Sequence, residues 1–390
     1  MNVKNARRAV AAIFFLLGTF MGTWATRIPD FKAMLGLNDA EFGLVLLVMA
    51  SGAFVSFPFA GRWVDQHGTA PTTKVLTFAT VCAFIALPFG TDVWIISPIA
   101  FALGFSFGAL DVAMNGWGAD VEKALGRPVM SSYHAVFSLG AAVGAGVGAL
   151  ALKFELSIAA HIWLWTGVMS VPTAMALMVG WAETDRVKPE KPAPFLAVPR
   201  GALLLVGIMA LIAALGEGAV TDWAALYQIQ ELGFTSSRAA IAFVVFSVAM
   251  VSMRFLADGL VARFGPVRIA RLSGLAAFVG TLLFVWGGNP WILWVGAAVM
   301  GFGNAAIFPL AMSRAAADKE MSQGTALAAV ATLGYGAFLM GPPAIGFIGE
   351  VFSLRFAFAG IALLALSITL LAGALRVEPS SKPKGEMNLA

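Results

Sequence analysis

Twelve apolar stretches divide this chain, each near the ~20 residues that a helix needs to cross a bilayer. They cover residues 9–27, 39–60, 72–90, 94–117, 130–152, 159–181, 201–227, 237–258, 267–287, 291–314, 323–348 and 355–376. Hydrocarbon offers no partner to a backbone N–H or C=O, so segments of this length and character must be helices. The charge content agrees. Only 12% of the residues are charged and 59% are hydrophobic, whereas a soluble domain carries ~25% charged residues to solvate its surface. The expected fold class is therefore an all-α membrane protein with twelve transmembrane helices. The opening "KNARRAVAAIFFLLGTFMG" has Lys4, Arg7 and Arg8 ahead of an apolar core, as a secretory signal does. No small-x-small cleavage site follows in "TWATRIPD", so it reads as an uncleaved first helix.

The net charge of +4 carries no expectation of nucleic-acid binding once the charges are located, because they sit in short loops between apolar runs. Loops on the N-terminal side hold 19 Lys and Arg and those on the opposite side hold 5, with Arg254 inside a span. That asymmetry predicts both termini in the cytoplasm, in a bacterial-type inner membrane. The single Cys82 lies in an apolar run, which leaves no disulfide framework and no cysteine-based metal site. No phosphate-binding loop, zinc spacing or Ser-His-Asp arrangement is found. Neither an enzyme nor a bound cofactor is expected.

The longest polar connection, "AETDRVKPEKPAPFLAVPR" over 182–200, is proline-rich and charged, as an extended cytoplasmic linker would be. It separates an N-terminal six-helix bundle (1–181) from a C-terminal one (201–376), and 377–390 reads as a disordered tail. The two halves repeat. "LGLNDAEFG" (35–43) matches "LGFTSSRAA" (232–240), and Gly68, ending "GRWVDQHG", matches Gly265, ending "GLVARFG", both at an offset of 197. Trp24 and Trp223 align at 199. Asn38 with Glu41 three residues on forms a capping box that launches the second helix.

Two six-helix halves, a basic central loop and the G-x-x-x-D-x-x-G loop of Gly61, Asp65 and Gly68 resemble the major facilitator superfamily. The chain departs from the usual pattern with Gln66 after the Asp and "TAPTTK" after the last Gly. Within that family "TWATRIP", "DVAMNGWGADVEKALGRPVMSSYHAVFSLG", "TDWAALY" and "GPPAIG" resemble the fucose-permease-like branch that includes rhizopine-type transport proteins. The resemblance implies two pseudo-symmetric bundles that rock about a central solute site, with an acidic residue on the fourth helix tied to proton coupling.

Polar residues inside the spans are few, and each needs a reason to be there. Gly104, Gly108, Asp111 and Asn115 share one face of the fourth helix, where the glycines would open a groove and the polar pair project from it. Asp111 lies about 25 Å from the start of that helix at Trp94, at 1.5 Å per residue. Glu217, flanked by Gly216 and Gly218, lies about 24 Å into the seventh. Asp111 and Glu217 are the candidates for proton coupling. Trp24, Asp111, Asn115, Glu217, Trp223, Asn304 and Tyr335 are the candidates for solute binding, the two tryptophans as an aromatic floor or as interfacial anchors. Gate candidates are Arg27 with Asp222 at the outer mouth, Asp65, and the pair Arg254 and Asp258, which are spaced to meet on one face of the eighth helix. His134 reads as a hydrogen-bonded hinge rather than a proton relay. Gly140, Gly144 and Gly148, and Gly334, Gly341 and Gly346 around Pro342 and Pro343, read either as sliding faces or as ordinary tight packing.

The expected function is proton-driven symport of a small polar solute, a sugar, polyol or amino-polyol, by a monomer whose partners are the solute, protons and the bilayer. Drug-type efflux by proton antiport is the alternative within transport. A membrane sensor that moves nothing is the alternative outside it, and two deep carboxylates argue against a dead cavity.

Overall fold

The computed structural model describes residues 3–37, 39–181 and 198–376. Asn38, residues 182–197 of the linker and the tail 377–390 lie outside the described residues, and with them the proposed capping box. The chain forms α1 (Val3–Leu35), α2 (Asp39–His67), α3 (Thr69–Ala86), α4 (Val93–Leu125), α5 (Met130–Lys153), α6 (Ile158–Leu177), α7 (Gly201–Leu232), α8 (Ser236–Phe264), α9 (Pro266–Trp286), α10 (Pro290–Asn304), α11 (Ile307–Ala316), α12 (Gln323–Val351) and α13 (Leu354–Leu371). Among the described residues 11 spans are long and apolar enough to cross a membrane, with Pro290–Ala316 counted as one. The twelfth is α6, 20 residues long, whose apolar character is diluted by His161, Thr166, Ser170 and Thr173.

Twelve crossings return the chain to the face on which it starts, here called the terminal face, opposite the distal face. The connections are short because local chemistry ends each helix sharply. The Asp92 side chain caps α4 by accepting from the N–H groups of Trp94 and Ile95, and Asn289 caps α10 from the residue before Pro290. The α2–α3 turn places Gly68 at φ 99°, ψ 162°. The α8–α9 turn places Gly265 at φ 78°, ψ 157°. Only glycine adopts this region freely, and its recurrence at the 197-residue offset shows that the repeat is structural.

Within the N-terminal half, α1 packs on α5 and α2 on α4 through glycine faces. A Cβ on Gly140 or Gly144 would collide with the carbonyl of Phe15 or Thr19, so these glycines allow close backbone approach inside one bundle. The groove expected beside Gly104 and Gly108 is not open. A Cβ on Gly104 would strike Met49 O, and one on Gly108 would lie 2.9 Å from Ala53 Cα. Both positions are closed by α2.

The tenth span is broken between α10 and α11. Pro309 has no N–H to give the carbonyl four residues back, which is that of Ala305. The freed carbonyl lies inside the protein, where a partner is obligatory. Arg254 on α8 supplies it, with Nε donating to Ala305 O at 3.4 Å.

Candidate functional site

Asp111 and Asn115 lie one turn apart on α4 and are 4% and 0% exposed. The Asn115 Nδ2 donates to the Asp111 carbonyl at 2.9 Å and to Asp111 Oδ1 at 3.3 Å. Its amide oxygen is thereby left to accept, and His134 Nε2 on α5 donates to it at 3.1 Å. The His134 ring sits edge-on to Phe14 of its own half and to Phe308 of the other, with centroids 5.3 and 5.7 Å away. No helical spacing pairs His134 with Asn115, because the two lie 19 positions apart on different helices with a turn between them.

Across the interface Tyr335 on α12 brings its hydroxyl beside the Asp111 carboxyl. Phe57 stacks on the Tyr335 ring at 5.6 Å and Phe308 meets it edge-on at 5.7 Å. Asp111 Oδ2 itself is buried with no hydrogen bond of full geometry among the described residues. A carboxylate buried at the seam between two bundles is costly in an apolar interior.

Arg254 forms the second polar centre. Its Nη1 donates to Ser138 Oγ on α5 at 2.6 Å, and Ser138 Oγ in turn donates to the His134 carbonyl at 3.0 Å. Its Nη2 reaches Glu217 Oε2 on α7 at 3.3 Å. Glu217 is the accessible partner, with its side chain 35% exposed against 9% for Arg254. Asn304 packs beside it, so closely on Gly216 that a Cβ there would lie 2.9 Å from Asn304 Oδ1. The structure thus gathers Asp111, Asn115, Tyr335, Glu217 and Asn304 with Arg254, His134 and Ser138 around the contact between the halves.

The predicted pairing of Arg254 with Asp258 is not found. Arg254 is held by the three acceptors just named, and Asp258 turns across the interface to α5. There it accepts from Ser131 N–H at 2.9 Å, Ser132 N–H at 2.8 Å and the Ser132 hydroxyl. Four unpaired N–H groups at a helix N-terminus outcompete a cation one turn away on the same helix. Glu122 of α4 takes the neighbouring donors, Val129 N–H at 2.7 Å and Met130 N–H at 2.9 Å.

Asp65 plays the corresponding part at α12. It accepts from Gly324 N–H at 2.9 Å, Ser322 Oγ at 2.5 Å and Thr325 Oγ1 at 2.7 Å. Gln323 reinforces the seam, donating to Asp120 Oδ1 at 2.8 Å and to the Gly116 carbonyl at 3.2 Å. These bonds join the two halves at the terminal face.

The distal face is arranged differently. Arg27 and Asp222 do not meet. Arg27 is 2% exposed and committed within its own half to Asp30 Oδ2 at 2.5 Å, His161 Nδ1 at 3.0 Å and the Leu156 carbonyl at 2.8 Å. Asp222 is exposed. Nor do the tryptophans form a common floor. Trp24 is packed into the N-terminal half against Phe31, centroids 5.1 Å apart, and Trp223 lies against Gly346 of α12. The bonds between Asp65 and α12 and between Asp258 and α5 thus lie at the terminal face, and at the distal face these candidate pairs stand apart.

Three comparisons place this arrangement among known proteins. The chain is 39% identical over 369 residues to the uncharacterized transporter y4wD of Sinorhizobium fredii, covering 95% of this chain and 98% of that one. It is 29% identical over 354 residues to membrane protein MosC of Rhizobium meliloti, covering 89% and 84%. FucP, the E. coli fucose:proton symporter, has a structure in the outward conformation that superposes with a TM-score of 0.73 at 14% identity, covering 95% of this chain and 99% of that one. Residues 9–318 and 206–388 match the Major Facilitator Superfamily, and the chain, with its two latched six-helix halves, is a membrane transporter belonging to that family.

Proposed function

We propose that the protein is a proton-coupled symporter of a small polar solute of the sugar, polyol or amino-polyol class, held here in its outward-facing state. The terminal face is then the cytoplasmic one, as the distribution of Lys and Arg favours. Asp111 carries this reading. It is a buried carboxyl set where the halves touch, beside the hydroxyl of a tyrosine of the opposite half. A proton taken up from the distal cleft would remove the isolated charge before the halves rock. A wetted terminal side would take the proton away. Glu217 and Asn304 are the solute-binding groups on the facing half, with Tyr335 and Asn115 completing the polar set. The fucose:proton symport of FucP supports the coupling by analogy of fold alone.

The rings of Phe57 and Phe308 packed on Tyr335, which lies beside Asp111, favour a second reading, proton-driven efflux of amphipathic solutes. Transport in proteoliposomes separates the readings. Under an inward proton gradient the wild type should accumulate a labelled sugar or polyol. Asp111→Asn, which keeps the shape of the side chain, should abolish accumulation and spare exchange at equal concentrations. If Asp111→Asn still accumulates solute and Glu217→Gln does not, the coupling site is Glu217. Proton-dependent extrusion of an amphipathic drug with no sugar or polyol uptake would replace symport with efflux.

A further inference from the structure

The α8–α9 turn holds a hollow of 370 Å³ lined by Arg263, Phe264, Arg268 and Arg271. The three arginines are exposed, and among the described residues none of them pairs with a carboxylate. The Arg263 guanidinium lies over the Phe264 ring, 5.1 Å from its centroid. The hollow also takes in the start of α9, whose first N–H groups have no carbonyl within the helix to donate to and whose dipole adds positive charge there. A site this basic calls for an anion. The matching turn of the N-terminal half lacks the set. At the 197-residue offset Gln66, Pro71 and Lys74 stand where these arginines do, and Lys74 Nζ is already given to the Val179 carbonyl at 2.9 Å. Topology asks only that basic residues lie on one side of the membrane. It does not ask three of them to line one hollow.

The geometry points to an anionic phospholipid of the leaflet at the terminal face, its phosphate held by Arg268 and Arg271 beside Arg263. The register of α9 selects a lipid over a free anion. Leu272, Leu275 and Val279 follow Arg268 at i+4, i+7 and i+11, so they continue its face of the helix. They are 57%, 45% and 40% exposed. Acyl chains can lie along this stripe while the head stays at the arginines. Depth agrees. The 21 residues of α9 span about 31 Å at 1.5 Å per residue, close to the ~30 Å hydrocarbon core. Its first two turns therefore sit at headgroup level. Arginine suits the phosphate because its planar fork can meet two oxygens at once.

Native mass spectrometry of the purified full chain, titrated with phosphatidylglycerol, tests the site. Arg268→Gln/Arg271→Gln removes two exposed charges and should leave the fold intact. Lys123→Gln/Arg127→Gln removes the same charge from exposed positions on the same face and is the control. A basic residue beside an anionic surface is worth about fivefold in affinity, so Arg268→Gln/Arg271→Gln should hold the first bound phosphatidylglycerol at least about tenfold more weakly. The control should bind it as the wild type does. Phosphatidylcholine, which carries no net charge, should bind the wild type weakly, and excess inorganic phosphate should displace little phosphatidylglycerol. No loss in Arg268→Gln/Arg271→Gln, or an equal loss in both double variants, would overturn the proposal. So would phosphatidylcholine bound as tightly as phosphatidylglycerol, and displacement by inorganic phosphate would assign the hollow to a free anion instead.

Discussion

Asp65 on α2 and Gly324 on α12 belong to different halves, yet the Gly324 N–H donates to Asp65 Oδ1 at 2.9 Å. Asp258 on α8 does the same for Ser131 at the start of α5. Each carboxylate sits at the positive end of a helix from the opposite bundle. The two latches are not strict repeats, since the 197-residue offset aligns Asp258 with Gly61 rather than with Asp65. The same contact is made from positions one turn apart.

Removing Asp65 should therefore open the terminal face. A carboxylate at a helix N-terminus contributes about 1–2 kcal/mol when partly buried, which changes a two-state ratio by roughly five- to thirtyfold. Spin labels at the exposed positions 66 and 320, on either side of the seam, should report a longer distance population in Asp65→Ala than in wild type. An unchanged distance distribution would mean that Gln323 and the packing of α2 on α12 hold the face without it.

Asp258→Ala should act in the same direction and independently. The two latches share no partner, so their effects should add within about 0.5 kcal/mol. The double variant, measured with the same labels, should favour the opened face more than either single one. A double variant no more open than Asp65→Ala would assign the whole latch to α2 and α12.

Reporter fusions after Lys188 and at the C-terminal tail should both score cytoplasmic, because the faces differ by 19 to 5 in Lys and Arg. A periplasmic score for either would overturn the assignment of the terminal face to the cytoplasm.

Hydropathy made the spans legible because hydrocarbon admits so few backbone solutions, and Gly68 and Gly265 marked the repeat because each ends a helix in a conformation closed to other residues. The polar residues Asp111, Glu217, Asn304 and Tyr335 could be picked out one by one, since each is expensive where it lies. What joins them was not legible. Asp65 and Asp258 are held by helix N-termini of the opposite half, and Arg254 reaches Ser138 there, more than 100 residues away in each case. Helical spacing suggested a local Arg254–Asp258 pair because it sees only one helix, and it missed the unpaired N-terminus of α5. The break after Asn304 had a visible signal in Pro309, whose missing N–H strands the Ala305 carbonyl.

His134 offers a test of how Asn115 is held. His134→Phe would fill the space between Phe14 and Phe308 but leave Asn115 Oδ1 buried without a donor, at about 1–3 kcal/mol. The melting temperature of the detergent-solubilised protein should fall. Asn115→Leu in the same background removes the stranded acceptor and should recover part of the loss. Failure of the second change to recover any stability would show that His134 matters for packing and not for its hydrogen bond.

Arg254 and Pro309 should be energetically coupled. Arg254 serves Ser138, Glu217 and the Ala305 carbonyl through separate nitrogens, and the third demand exists only because Pro309 cannot meet it. Lysine keeps the charge but is a point donor without the planar fork, so Arg254→Lys should strand the carbonyl and lower stability by about 1–3 kcal/mol. Pro309→Ala supplies an N–H four residues after Ala305 and allows the tenth span to close into one helix. In that background the carbonyl no longer needs Arg254, and Arg254→Lys should cost less by about 1 kcal/mol, read as a non-additive term across the four melting curves. Transport should separate from stability. Pro309→Ala should slow solute turnover because the straightened helix removes the break beside Asn304, even where the protein is more stable. Additive stabilities across the four proteins would show that the Arg254–Ala305 bond, long at 3.4 Å, contributes nothing, and that the break is held by helix packing alone.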